Sequence, residues 1–255
     1  MQQPLFTPKL PVALPPRHLR ALNEFRATLL RELGENLHML ALHGSAVHGN
    51  FDARHSDLNV LIVLGVATAD AHIIIGDAIA CSLARIEPIV VGLPEFARSA
   101  RAFAVRFASI RHCHRVLHGT DVLAELDVKP DISRFLVEQG LRSVRLRSVH
   151  AFMRSRRERA AYMPFVVQLL PQLITELSEA MRLNGVAVPE SWEARLPVIS
   201  VEFGCDPAVL GELLVLREKP RRLSLGDTER LHRALITLLD ACVERVSVTN
   251  LDAPW

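Results

Sequence analysis

Residues 42–51 have the sequence LHGSAVHGNF, and residues 56–60 have the sequence SDLNV. These two segments are the most informative part of the sequence for predicting the fold. Each adjoins or overlaps a short apolar run, LHMLALH at 37–43 and LNVLIVL at 58–64. Short apolar runs bounded by glycine and polar residues are typical of buried strands. The sequence therefore predicts two strands joined by a short helical turn and a polar loop.

The Gly44-Ser45 junction after the first strand has the chemistry of a phosphate-binding turn. Gly44 has no Cβ, so a phosphate can approach its backbone, and the Ser45 hydroxyl opens a helix whose N-terminus attracts anions. Asp57 and Asn59 are alternate residues of a strand and point to one side, where their oxygens can hold a hard cation beside the phosphates. A plain Gly-Ser turn between core strands is the alternative, because this pattern is common by chance.

Three histidines, His43, His48 and His55, surround this motif. A histidine at such a place can add pH-dependent affinity for phosphate. We predict this role for His43, which directly precedes Gly44. Hydrogen bonding within a turn or the core is the alternative for each of the three.

The neighbouring segments predict further elements of the same α/β unit. Apolar residues at three- and four-residue spacing predict a helix that ends at Gly34; they are Leu19, Leu22, Phe25, Leu29 and Leu33. Beyond the second strand we expect a helix over 67–85, strands at 86–91 and 103–110, and a short helix at 94–100 between those strands. Strands and helices thus alternate around one sheet.

The strand pattern ends near residue 120, and the rest of the chain predicts helices alone. These helices are expected over 131–157, 159–183 with Pro171 as a kink or break, 190–202, 207–217, and 225–246 with Ser224 and Asp227 as a capping box. The predicted organisation is an extended, proline-rich arm at 1–16, an α/β domain at 17–122 and a helical bundle at 130–248. The fold class expected is α+β, a mixed sheet with flanking helices followed by an all-helical domain.

Composition narrows the classes of function. A net charge of +2 over 255 residues gives no global field for nucleic acid or an anionic membrane. The four cysteines have no CxxC spacing, and His112-Cys113-His114 lacks further ligands at zinc spacing. The chain also has no apolar run of membrane-spanning length and no secretory signal, so we expect a cytoplasmic protein without a membrane partner.

The central segment resembles the GS-x(10–12)-D-x-[DE] signature of the DNA polymerase β-like nucleotidyltransferase superfamily, here Gly44-Ser45, eleven residues and Asp57-Leu58-Asn59. The order of elements is also similar to that of bacterial nucleotidyltransferases with a helical C-terminal domain. The resemblance implies Mg²⁺- or Mn²⁺-dependent transfer of a nucleoside monophosphate from a nucleoside triphosphate to a hydroxyl. Gly44, Ser45 and His43 would hold the triphosphate, and Asp57 and Asn59 the metal.

Two departures from the family pattern bear on activity. Active members have a second carboxylate where this chain has Asn59, whose amide oxygen can coordinate a cation but brings no charge. A third acid is expected on a later strand, yet the predicted strand 103–110 offers Arg106 and Ser109, which leaves Glu87 as the substitute. Glu87 is equally interpretable as a solvated residue at a strand edge.

Glu138 is the candidate general base for the acceptor hydroxyl, on the first C-terminal helix. An exposed glutamate paired with Arg142 four residues later is the alternative. The arginines that follow form the chain's one basic run, which we interpret as a solvated helix face rather than a contact for triphosphate or RNA; they are Arg142, Arg145, Arg147, Arg154, Arg156, Arg157 and Arg159.

The sequence therefore supports two hypotheses. In the first, the chain is a nucleotidyltransferase that acts on a small molecule, a protein or an RNA. In the second, it is a catalytically weakened or inactive module of that fold, a pseudoenzyme that binds a nucleotide or a partner protein. Both hypotheses leave room for a homodimer, and fold alone does not choose between them.

Overall fold

The computed structural model describes residues 14–48, 51, 53, 56–126, 130–155 and 162–247. The chain divides into two compact units, the first of residues 1–103 and 109–127 and the second of residues 104–108 and 128–255. The predicted arm at 1–16 lies outside the described residues except for its last three positions. The predicted domain limits remain predictions.

The first unit contains a mixed sheet of four strands with the order β3-β2-β1-β4. The central strand β1 is antiparallel to both β2 and β4, while β2 and β3 are parallel. The strands are β1 Leu37–His43, β2 Leu58–Leu64, β3 Ile86–Gly92 and β4 His114–Gly119. The helices before residue 113 are α1 Pro16–Leu33, α2 Ser45–His48, α3 Ala69–Ala80, α4 Phe96–Ala102 and α5 Ala104–His112, with 3₁₀ turns at Gly34–Asn36 and Leu93–Glu95. Residues 104–108 of α5 belong to the second unit.

Burial explains why β1 and β2 form the centre of the sheet. In each strand all but the second residue is buried, so both faces of the strand are covered and the sequence is nearly continuously apolar. Helix α1 is amphipathic, and its apolar face, which includes Leu22, Phe25 and Leu29, is buried in the same core as β1 and β2. The predicted helix before Gly34 and both predicted central strands are confirmed.

The predicted strand at 103–110 is wrong, because this segment forms α5, Ala104–His112. Ala104, Val105, Phe107 and Ala108 are buried while Arg106 is exposed, and this spacing places the apolar residues on one helix face. The aromatic and β-branched residues at alternate positions suggested a strand, but two alanines favour the helix. The fourth strand is instead the polar edge segment HRVLHG, which lacks the apolar run of a central strand.

The second unit is built from helices in its described part. They are α6 Pro130–Ser155, α7 Tyr162–Leu183, α8 Trp192–Phe203, α9 Ala208–Glu218 and α10 Leu225–Val246. Leu141, Val144, Leu173, Leu177 and Leu239 lie in its shared core. The five predicted helices are confirmed within the described residues, and Pro171 lies inside α7. Ser224 caps α10 by accepting a hydrogen bond from the backbone N–H of Asp227.

Two further observations concern covalent and membrane features. All four cysteines belong to the part of the chain that the structure describes, and none of them forms a disulfide. Of the four, only Cys242 is fully buried. Among the described helices, none combines the length and the apolar composition needed to cross a bilayer.

Candidate functional site

A row of polar side chains crosses the sheet at the edge where β1 ends and the other three strands begin. The register aligns Glu87 of β3 with Asn59 of β2, Asn59 with His43 of β1, and His43 with His114 of β4. Residues aligned across neighbouring strands project to the same face of a sheet. Side chains from all four strands therefore meet along one line, which we call the strand-end row.

The Gly-Ser turn lies directly against this row. Gly44 has a φ of 75°, which favours glycine, and a Cβ built on it would come 3.1 Å from Asn59 Nδ2. Ser45 is the first residue of α2 and is partly buried. The turn and the start of β2, which the sequence separates by eleven residues, are thus close in space. A side chain at position 44 would fill the space beside Asn59.

Asp57 lies just before β2 and forms an ion pair with the residue aligned to it before β3. Arg85 Nε lies 2.8 Å from Asp57 Oδ1, and the two side chains are 68% and 38% exposed. The parallel register continues through this pair, since the N–H of Leu58 donates to the carbonyl oxygen of Arg85 at 2.9 Å. Asn59 Nδ2 donates to the backbone oxygen of Asp57 at 3.3 Å. Sequence reasoning did not identify Arg85, because nothing in the sequence reveals strand register.

The prediction that Asp57 and Asn59 hold a divalent cation stays a prediction, and these residues offer such an ion few anionic ligands. Mg²⁺ selects carboxylate oxygens, and Asp57 already has a guanidinium on one of its oxygens. Asn59 contributes no charge, and its amide nitrogen is directed to the backbone of Asp57. Within the described ranges, no three His, Cys, Asp or Glu side chains form a group that could hold a metal ion. The strand-end row adds the carboxylate of Glu87, which is exposed.

Arg106 and Ser109 do not lie on a strand of this sheet, because they belong to α5. The position of Glu87 beside Asn59 identifies it as the acid that adjoins the predicted metal ligands. In the sequence, Asn59 and Glu87 lie in two segments whose pairing register is unknown. The parallel pairing of β2 and β3 in the structure places the two residues side by side.

The histidines of the strand-end row are held differently. His43 is 8% exposed at the end of β1. His114 Nδ1 lies 3.1 Å from the backbone oxygens of Ile110 and Arg111, so this nitrogen donates, and His114 Nε2 lies 3.1 Å from Asp121 Oδ2. His112 belongs to α5 whereas His114 belongs to β4, so the two histidines do not lie on one strand.

Glu138 lies on α6 in the helical unit, where it is only 7% exposed. Its carboxylate accepts a hydrogen bond from Arg142 at 2.8 Å and one from the Ser247 hydroxyl at 3.3 Å. The predicted pair with Arg142 is present, but the glutamate is buried rather than exposed. Its role as a general base remains a prediction.

The described part of the arginine run is largely engaged within the helical unit. Arg145 forms an ion pair with Asp240, and Arg147 Nη1 donates to Gln172 Oε1 at 3.0 Å. Arg154 is exposed near the end of α6. Arg156, Arg157 and Arg159 lie outside the described residues.

Together, the four-stranded mixed sheet, the Gly-Ser turn and the helical region after them define the nucleotidyltransferase fold with a helical C-terminal domain. The solved structures include a particular protein with this fold, spectinomycin adenyltransferase AAD(9) from Enterococcus faecialis with ATP and spectinomycin. It matches with a TM-score of 0.57 and 13% sequence identity over 89% of this chain and 98% of its own. No protein-family model and no curated protein sequence matches the chain. At this identity the likeness establishes the fold.

Proposed function

We propose that this chain binds a nucleoside triphosphate at the Gly44-Ser45 turn beside the strand-end row, and that its capacity for nucleotidyl transfer is weak. The observation that carries this proposal is the 2.8 Å ion pair of Arg85 with Asp57, next to an amide at Asn59. In the resembling superfamily this place needs two carboxylates. Here the Asp57 carboxylate is already paired with Arg85, and Asn59 stands in place of the second carboxylate. The site therefore already contains the guanidinium cation and has little capacity to hold metal cations.

Three groups support binding of the phosphates. Gly44 presents backbone without a side chain, Ser45 offers a hydroxyl, and Arg85 presents a guanidinium that is 68% exposed. Guanidinium groups are permanently charged and bind phosphate oxygens in a bidentate manner. Because the guanidinium is 68% exposed, it can contact a triphosphate while its Nε stays paired with Asp57 Oδ1.

Calorimetric titration with ATP tests the binding. We expect saturable binding whose affinity changes less than about twofold between Mg²⁺ and EDTA, and about tenfold weaker binding for Arg85→Gln. Arg31→Gln is a matched control, since Arg31 is also 68% exposed in a 2.8 Å ion pair. Absence of binding, or equal affinities for Arg85→Gln and Arg31→Gln, would overturn the proposal.

Pyrophosphate release tests the claim of weak transfer. We expect little release from ATP, GTP, CTP or UTP with Mg²⁺ or Mn²⁺. Asn59→Asp should fail to create turnover, because Arg85 still pairs with Asp57 in that variant. Vigorous turnover by the unmodified chain would refute this part.

A second candidate function is full nucleotidyl transfer, and the alignment of Glu87 with Asn59 favours it. Asp57 and Glu87 would then provide two carboxylates at one edge of the sheet. The acceptor oxygen would form a bond to the α-phosphorus, the bond from that phosphorus to the bridging oxygen would break, and pyrophosphate would leave.

ATP with spectinomycin is the first pair to assay for this second candidate, since the solved structure of similar fold contains both. Transfer of labelled AMP that disappears in Asp57→Ala and Glu87→Gln would establish it. Transfer that survives both changes would place the chemistry elsewhere.

A further inference from the structure

The helical unit contains a cavity of about 540 Å³ beside the second half of α6. We propose that this cavity binds a small organic anion with an apolar body, a class that includes aryl and alkyl carboxylates. The proposal does not depend on the nucleotide site, because every lining residue belongs to α6 or α7. The residues that carry the argument are Leu146, Arg147, His150, Ala151, Arg154 and Phe165.

Helix periodicity explains why these residues share one surface. Side chains four apart on a helix are neighbours, and the α6 lining consists of two adjacent rows with that spacing. The rows are Leu146, His150, Arg154 and Arg147, Ala151, Ser155. The small side chain of Ala151 lies in the middle of its row and leaves room there. Phe165, near the start of α7, forms an aromatic wall.

The two arginines keep their charge available to a ligand. Arg147 donates to the neutral Gln172 at 3.0 Å, and its guanidinium lies 5.7 Å from the centre of the Phe165 ring. No carboxylate among the described residues forms an ion pair with Arg154 or Arg147. By contrast, Arg142 and Arg145 on the same helix are paired with Glu138 and Asp240. Among the described residues, the cavity therefore has two positive charges without a matching negative charge.

The remaining lining selects the type of anion. Leu146, Ala151 and Phe165 favour a hydrocarbon or aromatic body. The Ser155 hydroxyl already donates to the backbone oxygen of Phe152 at 2.6 Å, so few groups remain to recognise the polar edge of a nucleobase. The volume lies within the range of about 300–1,000 Å³ typical of small-molecule sites. A carboxylate with an apolar body therefore fits better than a nucleotide.

An ordered cluster next to the cavity keeps this part of α6 in place. Phe152, the neighbour of Ala151, stacks on His232 with ring centres 3.9 Å apart and planes 2° apart. Tyr162 Oη and His232 Nδ1 are hydrogen-bonded at 2.6 Å. These contacts join α6, α7 and α10 beside the cavity. A preformed site binds with less ordering cost than one that must assemble around its ligand.

Fluorescence titration of the full chain with anilinonaphthalene sulfonate, an aryl anion, tests the proposal. We expect saturable binding at one site, displacement by decanoate and no displacement by decanol at the same concentration. Arg154→Gln should weaken binding of the dye about tenfold, since it removes one charged contact. Arg233→Gln is the control, because Arg233 is 77% exposed on α10 of the same unit.

Filling the cavity provides a second variant that does not alter charge. Ala151→Phe should reduce dye binding about tenfold or more, and circular dichroism and thermal unfolding verify that the variant folds. Equal dye affinity in Arg154→Gln and Arg233→Gln would overturn the proposal. So would displacement by decanol as effective as that by decanoate, or undiminished binding in a folded Ala151→Phe.

Discussion

Selected carboxylates of the two units differ in their exposure to solvent. In the sheet unit, Asp57 and Glu87 lie at an open edge, where Asp57 is 38% exposed. In the helical unit, Glu138, Glu176 and Glu179 are only 7%, 8% and 4% exposed. Strand ends bring polar groups from separate segments to the surface, whereas helix packing encloses them. We therefore expect changes at Asp57 and Glu87 to affect nucleotide binding and changes at the buried acids to affect stability.

Glu176 is the clearest of the buried acids. Burial, opposed by a hydrogen bond with Gln172 and assisted by the charge of Glu179, raises its pKa to about 8. Its carboxylate lies where a side chain at Gly140 would be, so the absence of a Cβ there is what admits it between α6 and α7. Burial also raises the pKa of Glu179, against the effect of Arg182.

The largest expected effect is the pH dependence that Glu176 gives to the helical unit. Between an ordinary pKa of 4.5 and the folded value of about 8, the folded state holds a proton that the unfolded state has lost. Stability therefore falls as pH rises through this window, at up to about 1.4 kcal/mol per pH unit, or about 5 kcal/mol in all. In Glu176→Gln we expect the slope to fall to the part that Glu179 contributes when urea unfolding is measured from pH 5 to 8.

Glu244→Gln, an exposed change in the same unit, should leave the slope as it is. An equal slope in the Glu176→Gln variant would contradict the assignment of this acid as the source of the pH dependence.

The next largest effect is the loss of stability when a glycine of each unit is replaced by alanine. Gly119 of β4 has a φ of 79°, and a Cβ on it would overlap the backbone oxygen of His38. Gly185, after α7, has a φ of 74° but an open surrounding within 4 Å. We expect Gly119→Ala to cost about 3 kcal/mol or more, from backbone strain and overlap, and Gly185→Ala about 1 kcal/mol. Denaturant midpoints measure both, and similar losses would mean that the β1–β4 approach is less close than described.

The smallest effect is expected at helix caps, which should matter equally in both units. Thr68 accepts a hydrogen bond from the N–H of Ala71 at the start of α3, and Ser224 accepts one from the N–H of Asp227 at the start of α10. Each change to alanine should cost about 1 kcal/mol. Unfolding free energies test this, and a loss confined to one unit would show that the two caps are not equivalent.

Sequence patterns predicted the elements whose signals are local. The continuous apolar strands at 37–43 and 58–64, the helix before Gly34 and the C-terminal helices follow from burial periodicity and capping residues. The strand predicted at 103–110 is wrong because large side chains at alternate positions resemble a strand pattern. The same segment also places Ala104 and Ala108 on one face of a helix. The polar edge strand at His114 gave no apolar signal.

The candidate site was predictable only in part, for a related reason. One motif contains Gly44, Ser45, Asp57 and Asn59. These residues are close in space because the two strands that they adjoin, β1 and β2, are paired. Arg85 and Glu87 enter the site through the register between β2 and β3, which depends on pairing between distant segments. Register is a property of the folded sheet, and local sequence does not encode it.

A crystal structure of the full chain soaked with a non-hydrolysable triphosphate analogue, with and without Mn²⁺, tests the central claim most directly. We predict phosphate density beside Gly44, Ser45 and the Arg85 guanidinium in both soaks. Density only elsewhere, such as the α6–α7 cavity, or none at this edge at concentrations that saturate binding in solution, would contradict the account.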